Sequence, residues 1–121
     1  TLTIMTDRPA INEHEAQARE SLVSLADAML EGRVTFFEGA AQVLRLKSEV
    51  SGINEGDAHF DAFLVIASET DHLPLSAQQH LWNAKALADL RPEFERTEKW
   101  ASGFASAACR GLIGRFRGAT Q

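Results

Sequence analysis

A chain of 121 residues with 45% apolar and 24% charged side chains has the make-up of one ordinary globular domain spanning residues 1–121, which argues against a fibre, a disulfide scaffold or a second domain. The net charge of −5 is uneven: thirteen acidic and five basic residues through Asp71 give −8, whereas His72 to Gln121 holds four acidic and seven basic and carries +3. Such a field repels phosphate backbones, which disfavours direct nucleic-acid binding, and steers a basic partner toward the first half.

The single cysteine, Cys109, lies in an alanine-rich apolar run, so neither an intramolecular disulfide nor a thiolate metal cluster is available, and a reducing, cytoplasmic setting is expected. TLTIMTDRPA lacks the basic start and apolar core of a signal peptide, and the longest apolar run is Ala62 to Ala67. Neither export nor a membrane span is expected.

From Ile11 to Glu31 there is no Pro or Gly, and Ala18, Leu22, Leu25 and Met29 recur at helical spacing. Asp7 and Pro9 are start signals, and Gly32 stands where a left-handed cap is needed. A second helix is predicted from Thr35 to Val50, with Phe36, Phe37, Ala40, Ala41, Val43 and Leu44 over a wide apolar arc. Glu38, Gln42, Arg45 and Glu49 form its polar stripe.

SGINEGD (51–57) reads as a loop, after which Asp57 can cap a third helix carrying Phe60, Phe63, Leu64 and Ala67. Within it AFLVIA also fits a short buried strand; helix is preferred. Pro74 closes that element. Ser76, with Gln79 three residues on, forms a capping-box pattern that opens a fourth helix through Leu81, Trp82, Leu87 and Leu90, with a break at Arg91 and Pro92. A fifth helix is predicted from Pro92 toward Arg117, turning Trp100, Phe104, Ala108, Leu112, Ile113 and Phe116 inward. Arg110, Arg115 and Arg117 suit its C-terminal dipole. The fold class is therefore all-α, a compact orthogonal or up-down bundle of about five helices.

No phosphate loop, nucleophile elbow, zinc-protease pattern or EF-hand loop is present, which lowers the expectation of an enzyme and calls for no cofactor and no metal. The densest polar cluster is Glu69, Asp71 and His72. A carboxylate beside imidazole can act as acid and base or hold a metal, whereas the plainer account has Thr70 and Asp71 satisfying backbone groups around a turn. Asp57, His59 and Asp61 resemble a metal set only on paper, because on a helix His59 points about 160° from the other two. Glu38 beside two phenylalanines would have a raised pKa if buried, but its place on the polar stripe favours a solvated or paired carboxylate. His14 and His80 lack clear local partners, and Trp82 and Trp100 read as core residues.

SETDHLPL at Ser68 to Leu75, with EGAAQVLRLKSEV before it and LW and EKWA after it, resembles small uncharacterised bacterial helical proteins over Leu22 to Phe116. Their size and acidity are those of immunity proteins for secreted toxins. That resemblance implies an inhibitor that binds a basic toxin domain, often a nuclease, by direct protein contact; the acidic first half and its polar turn make Glu55, Asp57, Asp61, Glu69, Asp71 and His72 the candidate contacts. A small acid–base or metal-dependent hydrolase around Glu38, Glu69, Asp71 and His72 is the first alternative, and a regulatory adaptor or homodimer is the second.

Overall fold

Five helices and no strand make up the described residues, 13–54 and 56–119, of the computed structural model. The first helix, α1 (Glu13–Leu30), buries Ala18, Leu22, Leu25, Ala26 and Met29, the stripe read from its spacing. Asp7, Pro9 and Ile11 lie outside the described residues. At its end Gly32 takes φ 79°, the Gly32 N–H donates to the Met29 carbonyl (3.2 Å) and the Arg33 N–H to the Ala28 carbonyl (2.8 Å). This is a Schellman cap, which needs a residue free of Cβ strain at that φ.

Thr35 caps α2 (Phe36–Lys47), its Oγ1 accepting from the Glu38 N–H at 3.0 Å. Gly39 lets α1 and α2 approach, since a Cβ there would lie 2.2 Å from the Met29 sulfur. Asp57 caps α3 (Ala58–Glu69), its Oδ1 accepting from the His59 N–H at 3.1 Å. AFLVIA is helical throughout: Phe63 and Ile66 enter the core with Phe60, while Leu64 and Val65 turn outward.

The chain then departs from the prediction. The fourth helix, α4, is one turn (Ser76–Gln79), the break falls at residues 80–83 and not at Arg91 and Pro92, and α5 (Ala84–Ala119) runs unbroken for 36 residues through Pro92. Asn83 supplies the new start: its Oδ1 accepts from the Ala86 N–H at 2.7 Å and its carbonyl from the Leu87 N–H at 3.1 Å, the work of a favoured N-cap residue. Pro92 deprives only the Ala88 carbonyl of its helical partner, and both residues are exposed, so water can replace the lost donor. No reciprocal capping box forms at α4, because a leucine side chain accepts no hydrogen bond. Leu75 takes the cap position, Gln78 Oε1 accepts from the Leu75 N–H at 3.1 Å, and Gln79 instead donates to the Pro74 carbonyl (3.1 Å).

The bundle is assembled on α5, which packs against α1, α2 and α3, while α2 also packs against α1 and α3. Its core stripe is Ala101, Ala105, Ala108, Cys109, Leu112 and Phe116. Small residues own this seam because they let neighbouring helices approach. Gly111 touches the His59 ring so closely that a Cβ would lie 2.3 Å from Nε2. Trp100 lies off this stripe and is 42% exposed, not in the interior it was expected to fill; Trp82, in the connection before α5, is 41% exposed.

Much of the acidity is used within the fold. Glu15 accepts from the Ser51 N–H (2.9 Å) and hydroxyl (2.8 Å), Glu98 from the Phe36 N–H (2.6 Å) and Phe37 N–H (3.3 Å), and Glu38 from the Ser76 N–H (2.7 Å) and hydroxyl (2.8 Å). Each carboxylate satisfies amides that a helix end or a loop would otherwise leave open. The amide and hydroxyl of Ser51, with Arg19, hold the Glu15 carboxyl below its usual pKa. At the basic end of α5, Arg115 pairs with Asp57 (2.7 Å) and Arg117 with Asp27 (2.8 Å). Two of the basic residues of the second half are thus paired with acids of the first half.

Candidate functional site

The SETDHLPL segment closes α3 with side chains pulled in opposite directions. Thr70 is buried, and its hydroxyl donates to the Ile66 carbonyl at 2.6 Å; the Leu73 N–H donates to the Thr70 carbonyl at 2.9 Å. Leu73 and Pro74 are buried as well. With those anchors inside, the intervening Glu69, Asp71 and His72 are left exposed.

Because α3 and α5 run antiparallel, with Asp57 paired to Arg115 and His59 against Gly111, the end of α3 meets the middle of α5. There a cleft of about 230 Å³ is lined by Glu69, Thr70, Glu93, Arg96, Thr97 and Trp100. His72 Nε2 hydrogen-bonds Glu93 Oε2 at its rim. Glu69, Asp71 and Arg96 make no side-chain hydrogen bond or ion pair with another described residue. The Trp100 ring stands edge-on to Phe104, centroids 5.1 Å apart, and this fixes its orientation at the cleft wall. A second, more enclosed cavity of about 180 Å³ lies behind the turn, with Phe37, Ala41, Leu73, Leu75 and Asp71 among its walls.

Of the six residues singled out in the sequence, the structure brings together Glu69, Asp71 and His72. Asp57 and Asp61 lie toward the opposite end of α3, about 18 and 12 Å from Glu69 at 1.5 Å per residue, and Glu55 lies outside the described residues. Asp57 is committed to the α3 cap and to Arg115. Partial burial pushes its carboxyl up, but the hydrogen bond and charge of Arg115 and the amides of His59 and Phe60 outweigh this and hold it below the usual range. Asp61 is half-buried, and Glu38 serves α4.

Glu93, Arg96 and Trp100 were not singled out in the sequence as a polar site. Their spacing of three and four marks one helical face, but that face became a site only once α3 was known to end against it. His14, which had no clear local partner, meets Glu49 at 3.0 Å. Among the described residues no three His, Cys, Asp or Glu side chains converge as a metal would need, and no helix is long and apolar enough to cross a membrane. Burial pushes the Cys109 thiol up to about 12, so it is a neutral core group and no nucleophile.

A family model described as a protein of unknown function (DUF2489) matches residues 5–112. No curated protein and no solved structure matches the chain.

Proposed function

The chain belongs to the DUF2489 family, whose description carries no activity, and from its own geometry we propose that it is a protein-binding domain recognising a basic segment at the cleft between the α3 turn and α5. One observation carries the reading: Trp100, two-fifths exposed and held in orientation by Phe104, stands beside Glu69 in a cleft whose neighbouring carboxylates Glu69 and Asp71 are not used by the fold. Interfaces draw their affinity from a few buried aromatic anchors and their encounter rate from opposed charge, and this site offers both. In its sharpest form the partner is a basic toxin domain and the protein its cytoplasmic immunity factor, as the sequence resemblance implies.

Mixing with the product of the adjacent gene is the direct test. A complex whose association slows as salt rises, and which weakens more than tenfold with Trp100→Ala and with Glu69→Lys, supports the proposal. No complex at low salt, together with no protection of cells by the gene, would remove the immunity form.

The contact between His72 and Glu93 favours a second reading, acid–base hydrolysis at the same cleft, since a carboxylate orients an imidazole as a general base requires. Under that reading His72→Ala abolishes turnover and leaves partner binding intact. Loss of binding with no turnover in the native chain supports the first.

A further inference from the structure

The apolar stripe of α5 outruns the core. From Ala101 onward it is covered by α1, α2 and α3, and the same side of the helix continues N-terminally through Phe94, Arg91, Ala88, Leu87 and Ala84. At 100° per residue the mean direction of these five positions is roughly 45° from the core direction, with Phe94 and Leu87 nearest to it and Ala88 furthest, and roughly 180° from the face bearing Glu93, Arg96 and Trp100. Among the described residues, the start of α2 and the single turn α4 stand opposite them. What remains is a cleft of about 470 Å³, in the size range of small-molecule sites.

Its floor is apolar, with Phe37 and Phe94 in edge-on contact (centroids 5.4 Å) and Leu87 and Ala88 beside them. Its rim is polar and asymmetric. Arg91 forms no ion pair or hydrogen bond with any other described residue, whereas Glu38 across the cleft already holds both donors of Ser76 on one oxygen. An unpartnered guanidinium over an aromatic floor matches a ligand with one anionic head and an apolar tail, the head at Arg91 and away from Glu38.

We propose that this cleft is a binding site for a small amphipathic carboxylate, with Arg91 holding the head group and Phe37, Leu87 and Phe94 the chain. The site is on the opposite face of α5 from the protein-binding cleft and does not depend on that reading.

A series of straight-chain alkanoates from butanoate to decanoate, titrated calorimetrically into the intact protein below their micelle concentrations, tests it. Saturable one-to-one binding is expected, tightening about two- to fourfold per added methylene until the floor is covered. Arg91→Gln is expected to weaken octanoate at least tenfold, and Ala88→Trp, which fills the floor from an exposed position, to abolish binding while circular dichroism stays native. The proposal is overturned if no chain length saturates, if octanol binds as tightly as octanoate, or if both variants bind like the native chain.

Discussion

The two halves of α5 belong to one unbroken helix and are built on opposite rules. Beyond Trp100 the inward positions are Ala101, Ala105, Ala108, Cys109, Leu112 and Phe116, all buried, and the helix is held by packing. Before it no residue is fully buried, and the helix is held by polar ties and edges: Glu98 to the α2 amides, His72 to Glu93, Phe94 to Phe37. Packing there uses small, branched and aromatic residues turned inward. Polar ties leave clefts, charges and aromatic rims, and both candidate sites are in that half.

The largest expected effect breaks the packed half. Leu112→Ala removes a fully buried side chain at the junction of helices and should cost about 2–5 kcal/mol in denaturant unfolding, whereas Leu87→Ala in the other half should cost less than about 1.5. Equal losses would abolish the distinction. Next is Glu98→Ala, which opens the Phe36 and Phe37 amides at the start of α2 and should cost about 0.5–2 kcal/mol, the scale of a lost helix cap. Glu98→Gln, keeping an acceptor, should recover part of it. Trp100→Ala should cost about 0.5–1.5 kcal/mol, the worth of its pairing with Phe104, and so leave a folded protein whose partner binding can be measured.

These contrasts explain what could be read in the sequence. Helix content, the Gly32 cap, the Asp57 cap and the loop at 51–57 follow from local chemistry, which acts over three or four residues and is written there directly. The break at Pro92 was misplaced because proline's cost depends on whether the orphaned carbonyl meets water, and Asn83 offered a better start nine residues earlier. Trp100 was assigned inward on hydrophobicity alone. Its exclusion follows from the register of α5: at 100° per residue Trp100 lies roughly 130° from the mean direction of Ala101, Ala105, Ala108, Cys109, Leu112 and Phe116, outside the buried stripe. The turn at Glu69 to His72 stood out as polar, while the cleft it forms with Glu93 and Arg96 is a product of the antiparallel register.

The smallest effect concerns the charge that ties the packed half to the acidic half. Arg115 donates to Asp57 at 2.7 Å and lies over the Phe60 and Phe116 rings at 5.9 and 5.4 Å, so the pair joins the α3 start to the end of α5. Asn is as good a helix cap as Asp, so Asp57→Asn should keep the cap and lose the ion pair, costing about 0.5–1 kcal/mol at neutral pH. The folded state holds the Asp57 carboxyl below its usual pKa, and the unfolded chain therefore takes up the proton first. The stabilisation is then present above about pH 4 and is lost as pH falls through the lower, folded value. The difference in unfolding free energy between the native chain and Asp57→Asn should accordingly shrink as pH falls below about 5. A difference that stays constant over that range would mean that Arg115 is held by its aromatic neighbours, and that the acidic half contributes its cap to this junction but not its charge.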